Sequence, residues 1–216
     1  MTATSSAAGS AISVVAAELA AFRGTRCKTL GMVEGLSDER LGRRPAPDRW
    51  SIGEILDHMV LAEALYRDDI DRLIALARDG RRPSIRRTFR DIDVSILFIP
   101  RSLLPLLEVP FSVIGAFVPR AVREALARAR WLPVQNPTVA EPRPGRPGAE
   151  LRRELETSLE ATERRFAAAG DLSWDEMTVS HPLLGTNDVP SLVRLMDRHE
   201  QRHQDQLREV LAATGG

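Results

Sequence analysis

The stretch RWSIGEILDHMVLAEALYRDDIDRLIALARDG, residues 49–80, decides the fold. Ile55, Met59, Ala62, Leu65, Tyr66, Ile70, Leu73 and Leu76 recur at three- and four-residue steps, the period that lines apolar side chains along one face of a helix. The start is marked as clearly as the period. Ser51 and Glu54 stand at capping-box spacing, where each side chain accepts a hydrogen bond from a backbone N–H that the first turn leaves unpaired. Trp50 and Ile55 flank the cap at the positions of a hydrophobic staple. The spacing predicts a helix over 52–79, ended by Gly80.

Three further segments carry the same period. Ile12, Val15, Leu19, Phe22, Leu30 and Val33 predict a first helix over 11–35, preceded by a small, polar stretch (residues 1–10) expected to fray. Leu151, Leu155, Leu159, Thr162 and Phe166 predict a third over 149–169, ended by Gly170. Pro190, tolerated in a first turn where a missing N–H costs little, opens a fourth over 190–212 with Leu192, Leu195, Met196, Leu207, Val210 and Leu211 on its stripe. None of the four shows strand alternation or an internal repeat. The expectation is an all-α chain with one domain, 11–216, interrupted by an insertion at 81–148.

That insertion is too long to be a simple loop in a compact domain. It holds twelve arginines against five acids, a net charge of +7 that the rest of the chain balances with −7. Its middle, SILFIPRSLLPLLEVPFSVIGAFVP, is apolar but broken by four prolines, which argues against a spanning helix and for short helical pieces packed on the bundle. Residues 94–118 are therefore expected to make a homodimer contact, or failing that a peripheral contact with anionic lipid, with a lid over the site as the third reading.

Composition removes several classes. A hydrophobic content of 43% with 28% charged residues is that of a globular protein, and the zero net charge lacks the positive field of a nucleic-acid binder. Cys27 is the single cysteine and no signal peptide opens the chain, so a reducing, cytoplasmic setting is expected.

Chemistry concentrates in the histidines. His199 and His203 are four apart on the stripe Leu192, Met196, His199, His203, Leu207, so both imidazoles point to one face. His58 falls on the buried stripe of the second helix. A buried polar group without a partner costs roughly 1–3 kcal/mol, so three imidazoles in one core call for a shared partner. Neutral imidazole ligates zinc, nickel, copper or iron, and an i,i+4 pair with a third histidine from a facing helix supplies three corners of a tetrahedron. The expected metal ligands are His58, His199 and His203, with zinc or nickel foremost. His181, in a stretch with proline and glycine, reads as a turn or cap residue.

The pair also spells His199-Glu200-Gln201-Arg202-His203, the pattern of zinc metallopeptidases. Those enzymes draw a third ligand from further along the chain, and only thirteen residues follow His203. No strand is expected beside the helix to hold a peptide. Glu200 is the candidate catalytic base; it and Asp57 adjoin ligands in sequence, but each is rotated about 100° from its neighbouring histidine, which suits a salt bridge equally well. Glu63 and Tyr66 are further candidates for the mouth of the site.

RWSIGEILDHMVLAE at 49–63, HPLLG at 181–185 and HEQRHQDQL at 199–207 resemble the landmark segments of the DinB-like superfamily. The resemblance covers the first helix through the fourth. It implies a four-helix bundle with a long crossover between the second and third helices, often dimeric, and a divalent metal held at the positions of His58, His199 and His203. It also implies kinship with enzymes that use mycothiol or bacillithiol, alongside many members without an assigned reaction. The long, apolar 81–148 crossover departs from the compact members. Two functions are expected: a metal-dependent thiol transferase or hydrolase acting on a small molecule, or a non-catalytic metal-binding bundle that takes an apolar ligand, a partner or a membrane surface through 94–118. No nucleophilic side chain is marked, so a thiol would enter as a co-substrate.

Overall fold

The computed structural model describes residues 3–88, 140–181 and 185–215, with the side chains of 3–13 left aside. The 94–118 segment, and with it the helical pieces expected there, lies outside the described residues. The elements run α1 (Ala3–Met32), α2 (Asp38–Gly42), α3 (Ile52–Arg78), β1 (Ser84–Arg86), α4 (Gly148–Ala168), β2 (Thr178–His181), β3 (Gly185–Asp188) and α5 (Val189–Thr214). Four long helices form the bundle, and the short α2 lies between the first two of them. Among the described residues, no helix is long and apolar enough to cross a membrane.

Local chemistry sets the helix ends. Glu54 N donates to Ser51 Oγ at 3.2 Å while Ser51 N donates to Glu54 Oε2 at 2.9 Å, so the capping box of α3 closes in both directions. Its far end turns at Gly80, whose φ of 69° favours glycine, and Arg81 N reaches back to Leu76 O. Asp188 caps α5 through Ser191 N at 2.8 Å, with Pro190 in the first turn. Helix α1 departs from expectation, because it starts at Ala3 inside the stretch expected to fray. Alanine is the strongest helix former, and Ala3, Ala7, Ala8 and Ala11 let the helix continue outward without an apolar stripe.

Helix directions follow from which residues share a core. One apolar cluster joins Val15 of α1, Ile70 and Leu73 of α3, Phe166 of α4 and Leu192 of α5. A second joins Val33 of α1, Ile55 of α3, Leu151 of α4 and Leu207 of α5. Residue numbers rise from the first cluster to the second in α1 and α5 and fall in α3 and α4. Helices α3 and α4 are therefore parallel, so the end of α3 and the start of α4 lie at opposite ends of the bundle. At 1.5 Å per residue, the 27 residues of α3 put those two ends about 40 Å apart.

The strands were not legible in the sequence. β2 and β3 form an antiparallel hairpin, with Thr178 opposite Asp188 and His181 opposite Gly185. β1 then pairs parallel with β2, with Ser84, Ile85 and Arg86 opposite Thr178, Val179 and Ser180. This small sheet closes the end of the bundle where Trp174, Met177, Val179 and Val189 are buried. The opposite end receives the chain at Gly148. A Cβ there would run into Leu41 Cδ1, so a larger residue would have to displace that buried side chain, and Asp38 Oδ1 accepts from its N–H at 2.8 Å.

Candidate metal centre

His58 lies two turns into α3, and His199 and His203 lie one turn apart on α5, antiparallel to it. The fold brings the three rings together, with centroids 4.8 Å apart for His58 and His203, 5.3 Å for His58 and His199, and 4.4 Å for His199 and His203. One ring nitrogen from each lies within 4.8 Å of the others. Trp50, the staple residue, packs its ring 4.9 Å from that of His58.

Hydrogen bonds assign the tautomers. His58 Nδ1 is 2.7 Å from Ala140 O, and a carbonyl only accepts, so the proton sits on Nδ1 and the lone pair on Nε2. That Nε2 is buried and has no hydrogen-bond partner. His203 Nδ1 likewise meets Gln206 Oε1 at 2.6 Å, which directs its Nε2 inward to 3.1 Å from His199 Nε2. Two nitrogens each about 2.0–2.1 Å from one zinc ion stand roughly 3–3.5 Å apart, so this spacing suits a shared cation. An orphaned lone pair beside a converging pair of imidazoles fits a divalent transition metal.

Electrostatics agree with that fit. Burial pushes all three imidazole pKa values down, His203 to about 3 and His199 well below the ordinary value, and the neighbouring histidines of the cluster add to the shift at both. At His58 burial again leads, partly offset by the Ala140 carbonyl. Arg202 adds its positive charge against protonation at each of the three. The rings are thus neutral near pH 7, the protonation state in which imidazole ligates.

The remaining candidates have other partners. Glu200 is buried, and its oxygens accept from Arg26 Nε at 3.0 Å, Arg26 Nη2 at 2.8 Å and Thr29 Oγ1 at 2.5 Å. A proton acceptor would have to give up those bonds, so the structure places Glu200 in an interior ion pair. Glu63 completes it, taking Arg26 Nη2 at 2.8 Å, Thr162 Oγ1 at 3.0 Å and Arg67 Nη1 at 3.1 Å. Burial opposes the Arg26 charge, but Glu200 and Glu63 outweigh it and leave its pKa raised. Tyr66 packs on the apolar core rather than at a mouth, and burial pushes its hydroxyl up to about 12. His181 ends β2 on the small sheet and is not part of the three-histidine cluster.

Arg26 and Thr29 escaped the sequence reading, although a signal was present. The α1 stripe runs Phe22, Arg26, Thr29, Val33 without a break in helical period, so two polar residues stand where apolar ones belong. Asp57, expected beside a ligand or in a salt bridge, is completely buried. Burial would raise its pKa, yet Arg143 and Arg146 hold it below the usual carboxylate value.

Comparison with known proteins agrees with this architecture. Residues 21–207 match the DinB superfamily. The uncharacterized protein YuaE of Bacillus subtilis (strain 168) is 23% identical over 190 residues, spanning 88% of this chain and 94% of its own. No solved structure matches the chain.

Proposed function

We propose that this chain, which belongs to the DinB superfamily, is a metal-dependent enzyme in which His58, His199 and His203 hold one divalent transition ion, zinc or nickel foremost, for thiol transfer or hydrolysis on a small molecule. The observation that carries the reading is the buried, unpartnered Nε2 of His58 in a cluster where one ring nitrogen from each of the three histidines lies within 4.8 Å of the others.

The chain's own residues prepare the site in three ways. Burial keeps the ligands neutral, so they do not offset the charge of a cation. The Ala140 carbonyl and the Gln206 side chain fix two ring orientations before any ion arrives. Trp50 packs on His58 and shields that side of the cluster. A divalent ion held there supplies a Lewis-acid centre that brings the pKa of a water or a thiol towards neutrality. A chain with three neutral ligands leaves such an ion positions for substrate, the feature that separates catalytic from structural zinc sites.

The test has two stages. Elemental analysis of purified protein should find about one transition-metal ion per chain. The metal-loaded protein is then offered electrophiles with mycothiol, bacillithiol, glutathione or water alone. Turnover that falls on chelation and returns with metal supports the enzyme. Metal uptake with no turnover across the panel leaves a non-catalytic metal-binding bundle. The proposal extends to assembly, in that two chains pair through the apolar 94–118 segment. Support for this comes from the sequence, since a proline-broken apolar run of that length needs cover.

A further inference from the structure

The chain that returns from the crossover to start α4 is bound to the residue next to a candidate ligand. Asp57 shows none of its side chain to solvent, and its carboxylate gathers the return segment through four bonds. Arg143 N and Nε donate to Oδ2 at 2.7 and 3.1 Å, and Arg143 Nη2 and Arg146 Nη1 donate to Oδ1 at 2.7 Å each. Arg146 is held in turn from the α4 side, donating to Glu154 at 2.8 and 2.7 Å and to Glu150. Ala140 and Pro142 are buried in the same segment, and Gly148 anchors its end against Leu41 and Asp38. The other product of this arrangement is the Ala140 carbonyl, delivered 2.7 Å from His58 Nδ1.

We propose that residues 140–146 form a positioning strap, in which Asp57 clasps Arg143 and Arg146 so that the Ala140 carbonyl holds His58 with its Nε2 towards the other two histidines. Asp57 is thus a positioning residue that acts on metal affinity through His58. The inference rests on the metal reading above. It gives the pair Asp57-His58 a division of labour: the imidazole ligates, and the carboxylate before it, pointing to another side of α3, secures the carbonyl that orients the imidazole. Hydrogen-bond partners of ligating histidines commonly change metal affinity by about 10–100-fold when removed. Linkage makes the effect reciprocal, so a bound ion should tighten the strap by a comparable factor.

The experiment uses the full chain stripped of metal and titrated with zinc or nickel against a chromophoric chelator. Asp57→Asn is compared with Arg143→Ala, a half-exposed guanidinium whose removal leaves the core intact if the first variant folds poorly. The expected result is an affinity about 10–100-fold weaker for Asp57→Asn and a smaller loss for Arg143→Ala, in which Asp57 keeps the Arg143 amide and Arg146. Hydrogen exchange over 140–148 should slow in wild-type protein on metal loading, the Arg143 amide above all. Affinities within twofold of wild type in both variants, or exchange that ignores the metal, overturn the strap while leaving the metal site standing. A wild-type chain that takes up no metal overturns the site itself and the strap with it.

Discussion

Arg26 of α1 and Glu200 of α5 face each other in the centre of the bundle, 2.8 Å apart, with 2% and 3% of their side chains exposed. An ion pair so buried is stable only while both partners remain, because removing one leaves a desolvated charge. Glu200→Ala should therefore destabilise the fold by about 3–5 kcal/mol while metal stoichiometry at low temperature stays near wild type. Denaturant titration together with metal analysis decides the matter. A stable Glu200→Ala protein that has lost turnover would return Glu200 to the role of catalytic base.

Metal content should follow the three-ring cluster. His58→Ala and His203→Ala are each expected to lower bound metal sharply, whereas His181→Ala, altered on the small sheet, should keep it. Full stoichiometry in the His203 variant would remove this cluster as the site.

Acid should weaken the metal-free protein in a window set by buried imidazoles. His203 stays neutral in the fold down to about 3 because burial, His58 and Arg202 oppose its charge. In the unfolded chain an ordinary histidine protonates near about 6.5. Between those values the unfolded state binds the extra proton, so stability is present above about pH 6.5 and is lost as pH falls towards 3, at up to about 1.4 kcal/mol per pH unit for each such group. His199, also shifted well down, acts in the same direction. Denaturation midpoints measured from pH 7.5 to 5 should fall with acidity and fall less steeply in His203→Gln. Equal slopes would mean that His203 is not buried neutral.

Assembly is checked through 94–118. Light scattering should find a dimer for the full chain and a monomer after deletion of that segment. A monomeric full chain that sediments with anionic vesicles at low salt would favour lipid contact, and an unchanged dimer after deletion would move the interface elsewhere.

What the sequence determined by itself is local. Helical period, the Ser51–Glu54 box and the i,i+4 spacing of His199 and His203 are fixed within a few residues, so they could be read without knowing where the chain goes. Even the meeting of His58 with that pair was legible, because the apolar stripes on either side of each histidine must face one core. Tertiary structure decided the rest, since it joins residues that no local pattern connects. Arg26 finds Glu200 across 174 positions, and β1 pairs with β2 across more than ninety. Ala140 reaches His58 across 82. A carbonyl has no sequence signature, and the α1 stripe that marks Arg26 as core-facing does not say which carboxylates it meets. The Ala140 contact depends on α3 and α4 running parallel, which puts the start of α4, and residues 140–147 before it, at the end of the bundle where α3 begins and beside the candidate metal centre.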